Sequence, residues 1–332
     1  MTISFKQWTT ETVSNIRESN QPLPIRIFRP IYYIYVAFLL TLTRWRPFGT
    51  NIFERDWDTL IILDACRVDA LREVEDEYKF LTVNDSITSV GSTSFEWLNH
   101  TFDKKYQEKI QQTAYVTGNG YTERVFEENG YTGNAAIPFG PSEYSVVDTD
   151  DFKYLEELWR ADFQDSSEWI VGSGDVTRIH PRYTTDRAIR ASRESDANKL
   201  IIHYMYPHTP YPLAEDPDLR DPFEPLRAGK LSKQEVWDEY LDNLRFVLDE
   251  VEKLLENIDA ESVAITADHG EAFGEFGMYW HFIGCPLPVM RRVPWAKATA
   301  HNSGEYEPSA PAPDSMAGST TAEQQLKQLG YL

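Results

Sequence analysis

The stretch Thr59-Leu60-Ile61-Ile62-Leu63-Asp64 decides the fold, because an unbroken run of apolar and β-branched residues stops at a carboxylate. Such a strand has apolar side chains on both faces, and each face must be covered. Similar runs follow at residues 86–90, 113–117, 200–205 and 262–266, with helical stretches between them. The clearest helix spans 232–257, where apolar residues recur at helical spacing after a capping pattern of Ser232 and Glu235. The sequence therefore predicts an α/β fold, with a mostly parallel sheet and helices on both faces.

Polar groups follow several of these strands at the points where they end. Asp64 follows the first strand, Gly91-Ser92-Thr93-Ser94 the second, and Asp268-His269 the fifth. The carboxyl ends of parallel strands meet at one edge, where such folds bind ligands. Carboxylates with an imidazole suit a divalent cation such as Ca, Mg, Mn or Zn, and a neighbouring hydroxyl is then the natural nucleophile. Taken singly, each of these residues could equally be an ordinary turn or cap residue.

Three further histidines are candidates for the same edge of the sheet, whereas the two cysteines are not. His203 and His208 lie at the end of the fourth strand and in the turn after it, and His281 lies 12 residues beyond His269. Their imidazoles could face an anion or a second metal ion, although a lone histidine is more often structural. Cys66 and Cys285 stand in no metal-ligand pattern, so the sequence indicates neither a disulfide framework nor a thiolate zinc site.

The charge of the chain is strongly divided. The 332 residues contain 53 acidic and 32 basic side chains, a net charge of -21, but residues 1–50 carry +4 and residues 51–332 carry -25. Nucleic acid is therefore excluded as a partner of the body, since a polyanion would approach a polyanion. Such an acidic body is typical of a halophilic protein that stays hydrated in high salt, so we expect a haloarchaeal origin; a merely acidic protein is the alternative.

The basic, aromatic N-terminal segment of residues 1–50 contains an apolar run at residues 31–43. As a helix this run is about 20 Å long, short of the roughly 30 Å hydrocarbon core of a bilayer. It also lacks the features of a cleavable signal peptide. The segment is predicted to be either a core helix or an interfacial helix that contacts the membrane peripherally through residues 26–46. We therefore expect a cytoplasmic protein, or one peripheral at the inner face of the membrane.

The rest of the chain divides by composition. Residues 51–298 form the predicted catalytic domain. Residues 299–320, rich in Ala, Ser, Pro, Gly and Glu, are predicted to be a flexible linker. Residues 321–332 regain an amphipathic pattern and are predicted to be a short helix that docks on the body.

Four motifs in order resemble sulfatases of the alkaline-phosphatase superfamily. Asp268-His269-Gly270-Glu271 with Gly274-Glu275-Phe276-Gly277 resembles their "DHGE…GEHG" signature, and Pro207-His208-Thr209-Pro210-Tyr211 is similar to "PHxPY". Arg292-Val293-Pro294-Trp295 resembles "RVPW/L", and Thr59 to Asp64 resembles the first strand with its metal-binding Asp. The end of the chain, residues 326–332, resembles the tail "L..LGYL" of the family.

The resemblance implies an alkaline-phosphatase-like fold and attack on a sulfate or phosphate ester through a covalent enzyme intermediate. It implies one or two divalent metal ions, with Asp64, Ser92, Asp268 and His269 as ligands. Ser92 would be the nucleophile, with Thr93 as the second choice. His203, His208, His281 and Arg67 would bind the substrate, and His208 would also assist the leaving group.

Two departures from the family shift the expected chemistry. The formylglycine motif C/S-x-P-x-R is absent, because Cys66 is followed by Arg67-Val68-Asp69. The segment from Ser92 instead resembles the "TSDSEFL" nucleophile segment of lipoteichoic-acid synthases, and His203-x-Met205-x-x-His208 resembles phosphoethanolamine transferases. Ala65 also stands where many sulfatases carry a second metal-binding Asp, which implies a smaller ligand set.

Three functions therefore stay open from the sequence. The first is a metal-dependent hydrolase of sulfate or phosphate esters. The second is a phosphoryl-group transferase at the membrane surface, acting on a lipid or a cell-surface glycan. The third is a catalytically silent binding module with the same fold.

Overall fold

The fold is described from a computed structural model, which describes residues 5–18, 23–128, 137–141, 143–161, 163, 167–173 and 176–313. The α-helices are α1 (Phe5–Glu18), α2 (Leu23–Thr43), α3 (Val68–Val74), α4 (Ser94–Thr101), α5 (Gln107–Ile110), α6 (Pro181–Glu194), α7 (Pro217–Arg220), α8 (Phe223–Arg227), α9 (Lys233–Leu255) and α10 (Pro288–Arg291). The strands are β1 (Thr59–Leu63), β2 (Asp85–Thr88), β3 (Thr113–Thr117), β4 (Tyr154–Glu157), β5 (Ile170–Ser173), β6 (Val176–Ile179), β7 (Lys199–Tyr204), β8 (Ala260–Thr266), β9 (Ala272–Phe273), β10 (Tyr279–Trp280) and β11 (Arg292–Ala300).

A sheet of seven strands forms the centre of the described fold, in the order β2-β11-β8-β1-β7-β3-β4. β1 pairs in parallel with β7 and β8, and β3 pairs in parallel with β7 and β4. β11 is antiparallel to both β8 and β2, so β2 runs in the same direction as the central strands. The predicted mostly parallel sheet is therefore confirmed, with β11 as its one reversed strand among the described residues.

Helices cover both faces of this sheet, as consecutive residues of β7 demonstrate. The Tyr204 hydroxyl lies 2.7 Å from the Thr185 hydroxyl of α6. The His203 ring points the other way and packs 5.6 Å from the ring of Trp97 in α4. β1 and β3 are buried along their whole length, which explains the unbroken apolar runs in the sequence.

The predicted long helix is also confirmed as α9. The Ser232 Oγ accepts a hydrogen bond from the Glu235 backbone N–H at 3.2 Å, and the Glu235 carboxylate accepts one from the Ser232 N–H at 2.7 Å. This reciprocal pair satisfies two backbone donors at the start of the helix. The apolar stripe of α9 is buried and packs with α6 on one side of the sheet.

α2 has one face buried against the body and one face exposed. Val36, Ala37 and Leu40 are fully buried, whereas Phe38 and Leu42 are 58% and 69% exposed. The helix thus has one face in the core and one face in solvent, and its contact with a membrane stays a prediction. Among the described residues, no helix combines the length and the hydropathy that crossing a bilayer requires.

The prediction of a flexible linker at residues 299–320 is corrected for its first part. β11 continues to Ala300, and the following residues pack on α6. The Asp186 carboxylate accepts hydrogen bonds from the backbone N–H groups of Ser309 at 2.7 Å and Ala310 at 2.9 Å, and from the Tyr306 hydroxyl at 2.6 Å. Residues 314–320 and the predicted helix at 321–332 lie outside the described residues.

Candidate functional site

Four buried side chains meet at the carboxyl edge of the central strands. The His203 Nε2 lies 4.0 Å from an Asp64 oxygen and 3.8 Å from an Asp268 oxygen. The His269 Nε2 lies 3.6 Å from Asp64 and 3.5 Å from Asp268. We call these four residues the first cluster. β1, β7 and β8 are neighbours in the sheet, so the strand order itself brings these residues together.

The backbone around the first cluster holds Asp268 in place. Ala65 adopts a left-handed conformation with φ 60°, and its N–H donates to the Asp268 Oδ1 at 3.2 Å. The His269 N–H donates to the same oxygen at 2.8 Å. The other oxygen, Oδ2, therefore faces His203 and His269. Gly270 is required beside them, because a Cβ there would lie 2.1 Å from the Val289 carbonyl oxygen.

The hydroxyl that reaches the first cluster is Ser94, the first residue of α4. Its Oγ donates to the Asp268 Oδ2 at 2.7 Å and lies 3.4 Å from the His269 Nε2. The structure does not bring Ser92 to the cluster, because the Ser92 Oγ donates to the Glu96 Oε2 at 2.5 Å and accepts from the Cys285 N–H at 3.0 Å. Thr93 is the N-cap of α4, its hydroxyl accepting from the Glu96 N–H at 3.3 Å.

A second cluster, formed by His208, Glu271 and His281, adjoins the first. One ligand atom from each of these residues lies within 4.8 Å of the others. The His281 Nδ1 is 3.2 Å from a Glu271 oxygen, and the rings of His269 and His281 are 4.3 Å apart between centroids. The two clusters therefore share one buried region. Glu271 was quoted in the sequence motif but not assigned as a ligand.

Arg67 lies near the second cluster, but its guanidinium bonds to other groups. It donates to the Glu275 carboxylate at 2.9 Å, to the Asp69 carboxylate at 2.6 Å and to the Glu271 carbonyl oxygen at 3.1 Å. Its side chain is only 8% exposed. The structure thus places Arg67 as a link between the loop after β1 and the segment after β8, and does not bring it to the first cluster.

Burial sets the protonation of both clusters. It lowers the pKa of His203 and of His281 to about 4, and it also lowers the pKa of His269. Burial alone would raise the pKa of Asp268, but the charges of His269 and His203 lower it. Burial raises the pKa of Glu271 well above its usual range. At neutral pH the imidazoles are therefore neutral and Asp268 is ionised, which are the forms that bind a metal ion.

The donor set of the first cluster fits a divalent cation. The His203 Nε2 is buried beside the two carboxylates, and it has no hydrogen-bond partner within the described part of the chain. An unsatisfied buried nitrogen costs about 1–3 kcal/mol, a cost that a bound cation removes. The Tyr115 hydroxyl lies 3.0 Å from the opposite ring nitrogen, the position of the outer partner of a ligating histidine. Two carboxylates and two imidazoles suit zinc or manganese better than calcium.

Comparison with known proteins returned matches among solved structures alone. No family model and no curated protein matches the chain. The soluble domain of lipooligosaccharide phosphoethanolamine transferase A from Neisseria meningitidis matches with 13% identity, over 74% of this chain and 76% of that one, at a TM-score of 0.45. The integral membrane form of that protein matches with 12% identity, over 91% of this chain and 60% of that one, at 0.48.

A candidate sulfatase from Bacteroides thetaiotaomicron matches with 11% identity, over 82% of this chain and 70% of that one, at a TM-score of 0.39. These neighbours are of two enzyme types whose motifs the sequence resembles. The likeness is distant.

Proposed function

We propose that the protein is a metal-dependent enzyme that cleaves a sulfate or phosphate ester with the Ser94 hydroxyl as nucleophile. The observation that carries the proposal is the hydrogen bond from the Ser94 Oγ to the Asp268 Oδ2, 2.7 Å long, inside a buried group of two carboxylates and two imidazoles. A serine or threonine with a structural role at the start of a helix accepts a hydrogen bond from a backbone N–H of that helix, as Thr93 does. Ser94 bonds instead to a candidate metal ligand.

The residues of the first cluster hold the cation and position the nucleophile. Asp64, His203, Asp268 and His269 would bind one divalent ion, which when bound lowers the pKa of a neighbouring hydroxyl and stabilises charge on the attacked group. Asp268 accepts the Ser94 hydroxyl hydrogen, so the oxygen lone pairs are free for the sulfur or phosphorus atom. The ester is expected to lie at the positive N-terminal end of α4, which favours an anion.

The second cluster would serve the leaving group, because it adjoins the first cluster through the rings of His269 and His281. As the bond from the Ser94 Oγ to sulfur or phosphorus forms, the bond to the ester oxygen breaks and that oxygen takes a proton. The protonated Glu271, with the His281 Nδ1 3.2 Å from one of its oxygens, would supply it. With Glu271 deprotonated, the same carboxylate together with His208 and His281 would instead hold a second ion. Water then attacks the covalent intermediate, the bond to Ser94 breaks, and sulfate or phosphate leaves.

The transferase alternative differs only in the second step, where an acceptor hydroxyl takes the place of water. The exposed apolar face of α2 favours it, because a surface of this kind suits an enzyme whose acceptor is held in a lipid layer. The two functions separate on stoichiometry. A hydrolase releases one phosphate or sulfate for each ester consumed, whereas a transferase releases less than it consumes when an acceptor is present.

Ser94→Ala tests the proposal, with Ser92→Ala as the matched control. We expect Ser94→Ala to lower kcat/KM on nitrophenyl phosphate or nitrophenyl sulfate at least about 10³-fold. Metal content by elemental analysis should stay at the wild-type level, since the four other ligands remain. Ser92→Ala should keep activity within about tenfold, because its Oγ is bonded outside the cluster.

Three outcomes would decide against this assignment. Activity lost in Ser92→Ala but kept in Ser94→Ala would return the nucleophile to Ser92. Activity kept in both variants at wild-type metal content would refute the covalent mechanism. A wild-type protein that binds no divalent cation would support the silent binding module instead.

The cellular location is part of the proposal. A cytoplasmic protein, or one peripheral at the inner face of the membrane, is proposed from the sequence, and cell fractionation tests it. Recovery of the protein from the outer face of intact cells by mild protease treatment would refute this location.

A further inference from the structure

The outward face of α2 and the turn after it form a continuous apolar ridge. The exposed members are spaced by three or four residues, so they line one side of the helix; we call them the α2 ridge: Ile27, Phe28, Ile31, Ile34, Tyr35, Phe38, Leu42 and Trp45. Phe139 extends the ridge, its ring meeting that of Phe38 edge-on at 5.3 Å between centroids. Single exposed apolar residues are ordinary, but a contiguous patch of this length marks an interaction surface.

Arginines lie at both ends of the α2 ridge: Arg26 and Arg29 beside its first residues, Arg44 and Arg46 beside its last. Within the part of the chain that the structure describes, none of these four forms an ion pair with a carboxylate. Two of them contact aromatic rings instead, Arg29 over Tyr33 at 5.5 Å and Arg44 over Trp45 at 3.9 Å. This is notable in a chain of net charge -21, because carboxylates are abundant elsewhere. Arg26 donates to the Ile16 carbonyl oxygen at 2.8 Å, and the charges of the other three arginines remain available to an outside anion.

We propose that the α2 ridge docks on an anionic lipid bilayer. An apolar face flanked by arginines, with tyrosine and tryptophan at its border, matches the depth profile of a membrane surface: acyl chains, then headgroups, then phosphate charge. In a symmetric dimer formed through the α2 ridge, the ridge would pack on the ridge of the second copy, and the arginines of one copy would lie beside those of the other. Charge complementarity therefore selects the bilayer.

Tyr32, on the side of α2 that packs against the body, and Tyr35, at the border of the α2 ridge, connect this surface to the candidate site. The Tyr32 hydroxyl donates to the Ile283 carbonyl at 2.6 Å, and the Tyr35 hydroxyl donates to the Gly284 carbonyl at 3.1 Å. Gly284 has φ 74°, and a Cβ on it would lie 3.1 Å from the Leu39 side chain, so α2 lies directly on this segment. The same segment supplies His281 to the second cluster. The docked helix would thus hold one wall of the site at the lipid surface.

This connection deepens the proposed function, on which it rests: the ester is one presented at an anionic lipid surface. The docking itself does not depend on catalysis. Ser94→Ala should therefore bind vesicles as the wild type does even if it is inactive. A wild-type protein that binds vesicles but is inactive on soluble esters would contradict the proposed function and leave the docking intact. A protein that is active on soluble esters but does not bind vesicles would contradict the docking alone.

Co-sedimentation of the full chain with vesicles tests the docking. Vesicles of equal parts phosphatidylglycerol and phosphatidylcholine are compared with vesicles of phosphatidylcholine alone. We expect Leu42→Glu to lower the partition coefficient about tenfold or more, because a leucine leaves the acyl region and a charge enters it. Leu213→Glu is the matched control, an exposed leucine outside the ridge, and should change binding by less than about twofold.

The electrostatic part is measured separately with Arg46→Gln. On the phosphatidylglycerol vesicles at low salt it should bind about fivefold more weakly, and on pure phosphatidylcholine it should match the wild type. In roughly 1 M salt the difference should vanish, since charges are screened within about 3 Å, while binding through the apolar ridge persists. Equal wild-type binding to both kinds of vesicle would overturn the role of the arginines.

Fluorescence quenching of the wild-type protein tests the docking without relying on a variant that could fail to fold. Brominated lipids should quench tryptophan fluorescence of the wild type more than that of Trp45→Phe, because Trp45 is 70% exposed at the end of the ridge. Absence of wild-type co-sedimentation and of quenching would overturn the proposal. A second result would also overturn it: light scattering that shows a wild-type dimer, which Leu42→Glu dissociates, together with no vesicle binding. The α2 ridge would then be an interface between copies of this chain.

Discussion

Replacement of Glu96 should separate the role of Ser92 from that of Ser94 by its effect on stability. Glu96 is 2% exposed, and its Oε2 accepts three hydrogen bonds: from the Ser92 N–H at 3.0 Å, from the Ser92 Oγ at 2.5 Å and from the Gly284 N–H at 3.0 Å. One carboxylate oxygen thus ties the loop before α4 to the segment that carries His281. In this arrangement Ser92 is a structural residue and contributes to stability.

The magnitude follows from these three bonds. A hydrogen bond to a charged group is worth about 1.5–3 kcal/mol, and a buried donor left unsatisfied costs about 1–3 kcal/mol. Three donors that share one acceptor are not additive, so we expect Glu96→Ala to lower the free energy of unfolding by about 4 kcal/mol. Glu96→Gln keeps one carbonyl acceptor and should lose about 2 kcal/mol. Ser92→Ala removes one bond of the three and also leaves the Cys285 N–H without its acceptor, so it should lose about 2 kcal/mol.

Denaturant unfolding followed by tryptophan fluorescence measures these losses. A total stability of about 5–15 kcal/mol leaves the weakest variant folded at low denaturant. Glu108→Ala, on the exposed side of α5, is the control and should change the free energy by less than about 0.5 kcal/mol. A loss below about 1 kcal/mol for Glu96→Ala, or a loss for Ser92→Ala as large as for Glu96→Ala, would refute the reasoning.

Four further predictions concern the metal, acid, the C-terminal segment and salt. His203→Ala should weaken zinc binding at least about 100-fold in a competition with a chromophoric chelator, because a direct ligand is lost; unchanged affinity would remove His203 from the ligand set. Burial alone would raise the pKa of Glu275, but hydrogen bonds from Lys233 and Arg67 lower it to about 2. The stabilising effect of ionised Glu275 is therefore complete above pH about 4.5 and is lost as the pH falls through about 2. The difference in unfolding free energy between wild type and Glu275→Gln should therefore shrink in acid. A difference that stays constant with pH would contradict this. Asp186→Ala should cost about 3 kcal/mol and make residues 301–313 sensitive to protease, since three donors lose their acceptor; an unchanged digestion pattern would argue against the described packing. The melting temperature should rise between about 0.2 M and about 2 M KCl, because salt screens the repulsion within the acidic body, and a falling melting temperature would reject a halophilic protein.

The strands and the first cluster were predictable because one physical rule governs both. A strand covered on both faces is apolar throughout, so β1, β3, β7 and β8 stand out in the sequence, and the first polar residue marks the carboxyl end. Asp64 and Asp268 follow directly from this rule. His203 lies at the same level because β7 is the neighbour of β1. The capping pattern of α9 was equally local, and the structure contains it.

The nucleophile segment was harder, because the choice among adjacent hydroxyls depends on where the helix begins. A gapless likeness to another family's segment placed Ser92 first. The local sequence instead favours Ser94 as the first helical residue, because Thr93 followed by Glu96 is a capping pattern. Glu271 was missed for a different reason. Its partner His281 arrives from a loop, and loop paths are not encoded by periodicity.

The C-terminal segment shows where composition fails as a guide. A stretch rich in Ala, Ser and Pro buries little apolar surface, and this was the basis for predicting a linker. The segment is instead held by backbone N–H groups and one tyrosine hydroxyl on Asp186, and by the Arg190 guanidinium on the Pro308 carbonyl. Hydrogen bonds donated by the backbone cannot be predicted from the pattern of side chains in the sequence.

The reversed strand β11 has a consequence for the order in which parts of the fold can form during synthesis. β2, which leads into the helix of Ser94, pairs with β11 alone among the described strands, and Arg292 is the partner of Thr88. A chain emerging from the ribosome can pair β1, β7 and β8 and so collect its acidic and histidine ligands first. It can complete the sheet around β2 only after β11 has been synthesised, because β11 is the last strand of the described chain. A nascent chain would thus gather its candidate metal ligands before the proposed nucleophile, Ser94, is fixed beside them.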